Sequence, residues 1–232
     1  MPEADDYELL ARYVRDHSEE AFATLVARHI NLVYSAALRH AGNSHQAEEI
    51  TQVVFLILAR KAGNLSSETI LSGWLYKTAR LTAANYLRTE IRRQHREQEA
   101  HMQSLTHESK PGAWLQIAPA LDAAMEHLNE TDHNAVVLRF FEGRSFSEVG
   151  GALGTSEDTA RKRINRAVEK LRKFFTKRGI VLSAVTIAGA LSTGSVQAAP
   201  AGLAASITTA GLTKGAVVSG STFALIKSTL KL

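Results

Sequence analysis

The stretch GRSFSEVGGALGTSEDTARKRINRAVEKLRKFF, residues 143–175, decides the fold class. Ser145 is placed to cap a helix, and Glu148 three residues on completes a capping box in which each side chain serves the other's backbone N–H. Phe146, Val149 and Leu153 then share one face of a short helix. Gly154 stops that helix, because glycine takes the left-handed C-terminal conformation without steric penalty. Thr155 makes the turn. Ser156 caps a second helix, with Glu157 and Asp158 in its electropositive first turn. Ala160, Ile164, Ala167 or Val168, Leu171 and Phe174 recur at helical spacing as an apolar stripe. Gly150 and Ala160 are small enough to let the two helices cross closely. Opposite the stripe stand Arg161, Lys162, Asn165, Arg166 and Lys173.

A short helix, a tight turn and a longer helix with a basic outer face form the pattern of a helix-turn-helix, whose second helix enters the DNA major groove. A helical hairpin with a solvated charged face is the alternative on these residues alone. The chemistry suits DNA. Guanidinium and ammonium groups release counterions from phosphates and make affinity salt-dependent. Arg or Asn near the start of the helix can bond base edges in pairs, each good pair giving roughly 1–3 kcal/mol of discrimination.

Upstream, no proline occurs between residues 3 and 110. Apolar residues there recur every three or four positions. Leu9, Leu10, Tyr13 and Val14 form one stripe, and Phe22, Leu25, Val26, His29, Val33 and Leu38 a second. Ile50, Val53, Val54, Ile57 and Leu58 form a third, and Trp74, Leu75, Thr78, Leu81 and Leu87 a fourth. This spacing predicts about four helices over 5–100 and an all-α fold, since no run alternates with period two. Residues 101–118 are polar and carry a Pro-Gly pair, the signature of a linker. Helical periodicity returns at 119–178 in four shorter pieces.

The chain has 232 residues, 45% apolar and 22% charged, which excludes collagenous and wholly disordered classes. Without cysteine it has no disulfide, thiolate metal site or cysteine nucleophile. The acidic, helix-patterned start MPEADDYELLARYVRD is unlike a signal peptide, so a cytoplasmic location is expected. The net charge is only +4, but residues 88–96 hold four Arg against one Glu, and residues 161–178 hold nine Lys/Arg against one Glu. Such clusters on helices fit a polyanionic partner.

Residues 180–232 differ in kind. Ala, Gly, Ser and Thr supply 31 of the 53 positions, and the only charges are Lys214, Lys227 and Lys231. Over 179–232 the composition predicts a loosely ordered extension. The uncharged run 180–199 also admits two other roles, membrane association or an intramolecular contact.

Taken together, residues 5–178 resemble the bacterial RNA polymerase sigma factors of the sigma-70 family, in the two-domain extracytoplasmic-function (ECF) group. EEAFATLVARHINLVYSAALRH (19–40) is similar to the opening helix of region 2. HQAEEITQVVFLILARKA (45–62) resembles the helix that binds the clamp of the largest polymerase subunit. GWLYKTARLTAANYLRTEIRRQHRE (73–97) resembles the promoter-melting, −10-reading helix, and 128–172 resembles region 4, the −35 reader.

The resemblance implies polymerase contacts at Glu48, Glu49, Gln52 and Phe55, and −35 contacts at Arg161, Lys162, Asn165 and Arg166. It places −10 contacts at Trp74, Tyr76, Asn85, Arg88, Arg92 and Arg93, where aromatic surface beside the loop 63–73 would stack an extruded base. The chain departs from the family pattern where Arg80-Leu81 and Asn85 stand for a more usual Arg-Asn pair followed by Asp. The implied partners are core RNA polymerase, promoter DNA and an anti-sigma factor.

No phosphate-binding glycine loop, HExxH or GxSxG motif occurs. His95, His101 and His107 recur every six residues, which suits no metal pair. An enzyme is therefore not expected, nor a cofactor. The competing class is a helix-turn-helix regulator acting without polymerase, which would need a dimerisation or ligand-sensing domain.

Overall fold

The computed structural model of the chain describes residues 4–41, 43–97 and 113–212, with backbone alone at 89–97, 113 and 210–212. Every regular element among the described residues is helical. The chain divides into two compact units, Met1–His107 with Ala198–Leu232, and Glu108–Gln197.

The first unit contains α1 (Asp6–Asp16), α2 (Glu19–Leu38), α3 (Ser44–Lys61), a 3-10 turn (Ala62–Asn64), α4 (Leu71–Glu97) and α10 (Leu203–Leu212). Short polar side chains start the early helices. Asp5, Ser18 and Asn43 accept from the backbone N–H groups of Glu8, Ala21 and Gln46 at 2.7, 3.2 and 2.9 Å. Phe22, Leu25, Ile50, Ile57, Leu58 and Leu75 fill the core. The four expected stripes thus lie on four helices.

Helix α1 is held by charge. Arg28 donates to Asp6 Oδ1 at 2.6 Å, and buried His29 places Nε2 2.9 Å from Asp6 Oδ2. Burial pushes the Asp6 carboxyl up, but the His29 hydrogen bond and charge, followed by Arg28, outweigh it and hold the group at about 2. A carboxyl depressed on folding stabilises the fold fully above its ordinary value of 3.8 and ceases to do so as pH falls through about 2. Denaturant titrations at about pH 5 and about pH 2 should therefore differ by up to about 2 kcal/mol through this group. Asp6→Asn should remove that part of the difference; an unaltered profile would exclude the interaction.

The second unit contains α5 (Ala113–Glu126), α6 (Glu130–Val136), a π turn (Val137–Phe141), α7 (Phe146–Ala152), α8 (Glu157–Lys177) and α9 (Ala184–Gly194). Ile117, Leu121 and Met125 of α5 and Leu171 and Phe175 of α8 are fully buried. The buried stripe of α8 ends on Phe175, one helical turn past Leu171. Phe174, expected in that place, is half-buried, between the ring of His127 at 4.7 Å and the Arg178 guanidinium at 4.5 Å.

Two boundary expectations are corrected. The segment 101–118 is not all linker, because α5 begins at Ala113 and carries Pro119 inside it. The ring there removes one helical donor, a loss that the packed Ile117, Leu121 and Met125 override. The extension is not loosely ordered over 184–194 and 203–212, where it forms α9 and α10. Helix α9 packs on α5, α8 and the π turn, burying Ile187 and Leu191. Ser195 Oγ donates to the Phe140 carbonyl at 3.1 Å.

At 11 residues α9 is about 16 Å long, half of what a bilayer core requires, so the run 180–199 is no spanning helix. Only Glu19–Leu38, among the described residues, has the length and hydropathy to cross a membrane, and it lies mostly inside the first unit.

Candidate nucleic-acid interface

The turn between α7 and α8 is built as its residues dictate. Glu148 N–H donates to Ser145 Oγ at 3.2 Å, and Ser145 N–H donates to Glu148 Oε2 at 2.7 Å, closing the capping box. Gly154 has φ +62°, the left-handed region. Thr155 N–H donates to the Gly150 carbonyl at 2.8 Å. Ser156 Oγ accepts from Thr159 N–H at 3.3 Å and starts α8.

Gly150 is the closest approach. A Cβ there would meet the Thr155 carbonyl oxygen at 2.9 Å and Ser156 C at 3.1 Å, both backbone atoms of the turn that cannot swing away. Gly150→Ala should destabilise the second unit by about 1–3 kcal/mol, as overpacking does. Thermal melts of the full chain would show it, and an unchanged transition would refute the close crossing.

On α8, Ala160, Ile164, Ala167, Val168, Leu171 and Phe175 are buried, while Arg161, Lys162, Asn165, Arg166 and Lys173 face solvent. The four candidate −35 residues therefore share one open face. Arg161 is pre-positioned on it: its guanidinium bonds Glu157 Oε1 at 2.9 Å and lies 4.5 Å from the centroid of the Phe146 ring. Arg139 stacks on the same ring at 4.7 Å. Stacking and an ion pair on a half-buried ring reduce the freedom the side chain loses on binding.

Other cations of the cluster work inward. Asp132 in the first turn of α6 is buried, and it receives Arg163 at 3.3 Å and Lys170 at 2.6 Å. Arg172 bonds Glu169 at 2.6 Å. Net charge counted along α8 thus overstates what the outer face offers. The roles of Asp132, and of Phe146 as a platform for Arg161, were not visible at the sequence level.

In the first unit the candidates divide. Arg88 is exposed on α4, and Asn85 is half-buried beside it. Arg92 and Arg93 lie on the same helix, their side chains outside the described residues. Trp74 is half-buried against Val53, Leu56 and Ile57, together with Tyr86. Tyr76 is 1% exposed, with the Arg39 guanidinium 5.5 Å from its centroid. A ring so enclosed cannot stack a base, so Tyr76 belongs to the core and not to the DNA surface. The polymerase candidates divide likewise. Glu48, Glu49 and Gln52 are partly open on α3, whereas Phe55 is 0% exposed and presents nothing to a partner in this conformation. Glu49 Oε2 accepts from the Tyr86 hydroxyl at 2.8 Å, a link from α3 to α4.

No cluster of His, Cys, Asp or Glu suited to a metal occurs among the described residues. The arrangement offers ionic and hydrogen-bonding recognition.

Comparison with known proteins agrees with this geometry. The family model for sigma-70 region 2 matches residues 25–93, and that for sigma-70 region 4 matches residues 124–173. The RNA polymerase sigma factor CarQ of Myxococcus xanthus is 32% identical over 68% of this chain and 91% of its own length. This chain belongs to the sigma-70 family. Within that family it is a sigma factor of the ECF group. The ECF sigma factor SigE of Mycolicibacterium smegmatis is 34% identical over 66% of this chain, although the chain spans only 61% of SigE. The sigma-H factor of Pseudomonas aeruginosa is 27% identical over 75% of this chain and 95% of its own. Among solved structures, the sigma factor RpoE in complex with the anti-sigma factor NepR from Bartonella quintana is 19% identical over 68% of this chain, with a TM-score of 0.31.

Proposed function

We propose that this sigma factor docks on core RNA polymerase through its first unit and reads promoter DNA with both units, in the cytoplasm and without catalysis of its own. The open basic face of α8 carries the reading for DNA, with Arg161, Lys162, Asn165 and Arg166 entering the −35 major groove. Arg88, with Asn85, Arg92 and Arg93 along α4, supplies −10 and phosphate contacts. Trp74 helps by bracing the start of α4 on α3, and the loop before α4 makes the base contact.

Glu48, Glu49 and Gln52 form the polymerase-facing edge of α3. Glu49→Lys is expected to weaken binding to core polymerase at least tenfold, about 1.4 kcal/mol. Tyr86→Phe, which removes the hydroxyl that orients Glu49, is expected to give a smaller loss. Wild-type affinity for Glu49→Lys in a competition assay would remove α3 from the interface. Capture of core enzyme without DNA separates this function from that of a free-standing regulator.

A further inference from the structure

We infer that α10 is a built-in competitor of core polymerase, occupying the groove between α2 and α3 at the edge where the enzyme docks. The inference rests on the docking role proposed for α3, and it gives the apolar extension a regulatory task.

Helix α10 packs on α2 and α3, with Leu203 buried and Ile207 fully so. Just before it, Ala199 N–H donates to Asn31 Oδ1 at 2.9 Å, on the otherwise solvent-facing side of α2. One turn along α2 from Asn31, Tyr34 is buried. Its phenol is pushed up by that burial and by the nearby carboxylate of Glu48 on α3. Helices α2 and α3 pack on each other and α10 packs on both, so α10 lies along the seam between them, beside the Asn31–Tyr34 edge of α2.

Phe55 gives the same placement. At about 100° per residue it falls on the Glu48–Gln52 edge of α3, roughly 150° around from the Val53, Leu56 and Ile57 that meet Trp74 and Tyr86 of α4. It is nonetheless fully buried. Besides α4 and the 3-10 turn that follows it in the chain, α3 packs chiefly on α2 and α10, and we place these two over that edge. The burial of Phe55, which contradicts a role as an open polymerase contact, is what an occupied groove produces.

The clamp is suited to release. Residues 203–212, LAASITTAGL, carry no charge, and the described anchors are two aliphatic side chains one turn apart. Their burial is offset by the ordering of the segment, which leaves a weak contact. Its tether makes the weak contact effective. Residues 195–202 join it to α9, which is fixed in the second unit by Ile187, Leu191 and the Ser195 hydrogen bond. Because α10 is part of the same chain, its contact with α2 and α3 does not depend on protein concentration. Core polymerase must displace that helix, and a larger interface can do so.

The natural chain has no cysteine, so a single engineered pair tests this without side reactions. Asn31→Cys with Ala199→Cys, two residues already in hydrogen-bond contact, can close a disulfide that locks the extension down. The full-length oxidised protein should bind bacterial core RNA polymerase at least tenfold more weakly than the same protein reduced. Full-length Ile207→Glu, which places a carboxylate in the groove, should bind about tenfold more tightly than wild type. Equal affinity of oxidised and reduced protein, with the disulfide verified by mass, overturns the competitor role while leaving polymerase docking intact. Failure of the wild-type, reduced and Ile207→Glu proteins all to bind overturns the docking role of α3, and the present inference with it.

Discussion

Asp132→Ala is expected to destabilise the second unit by about 3 kcal/mol, the penalty typical of removing one partner from a buried ion pair. The carboxylate is 7% exposed and receives two cations from one helix, Arg163 and Lys170. It also sits in the first turn of α6, behind the Asn129 cap, where the helix dipole favours negative charge. Without it, Arg163 is left 26% exposed, with no carboxylate at that point to oppose its charge. Lys170 is about half exposed and can turn to water, so the effect falls at the lower end of the range for buried pairs. Urea denaturation of the full chain would show a lowered midpoint for the transition of this unit. Asp132→Asn should recover part of the loss, because it keeps the shape and some of the hydrogen bonding. An unchanged midpoint would exclude the pair as an anchor of the recognition helix.

The second large effect concerns DNA. Replacing Arg161, Lys162 and Arg166 together by Ala is expected to abolish −35-dependent initiation and to flatten the salt dependence of promoter binding. Each lost phosphate contact lowers the slope of log affinity against log salt by about 0.9, so two or three such contacts amount to about 2–3. Arg161 is distinct within the set. Held by Glu157 and stacked on Phe146, it is the residue suited to a base edge, and Arg161→Ala alone should relax sequence preference at one promoter position by roughly 1–3 kcal/mol. Arg166 has one long bond, 3.4 Å to the Lys162 carbonyl, and should behave as a phosphate contact, weakening all sequences alike. Binding titrations over a salt series, on promoters with intact and scrambled −35 elements, separate the two roles. An unaltered slope for the triple variant would remove α8 from the DNA.

The helix-turn-helix was legible because its signals are local. The Ser145–Glu148 box, Gly154 and the Ser156 cap each act within three or four residues, and the α8 stripe repeats over about four turns. The same holds for the early caps and the stripes of α1 to α4. What was hidden depends on distant partners. Asp132 meets Arg163 and Lys170 from more than thirty positions away, and no spacing rule announces it. Family likeness placed Tyr76 and Phe55 on the right helices but not on a face, and burial decides the face. The extension misled through composition. Rich in Ala, Gly, Ser and Thr, it holds Ile187 with Leu191 and Leu203 with Ile207 at four-residue spacing, enough to seat two short helices on existing surfaces.

Two helical units, one bound to the polymerase and both to DNA, are expected to make an RNA-synthesising enzyme choose its start. Run-off transcription with purified core RNA polymerase, on templates selected from a randomised promoter library, tests this most directly. The full-length chain should yield discrete transcripts from promoters sharing −10 and −35 elements, and the Arg161/Lys162/Arg166 triple alanine variant should lose those that depend on the −35 element. A chain that binds DNA yet leaves core enzyme without any start-site selectivity would show that it is not an initiation factor.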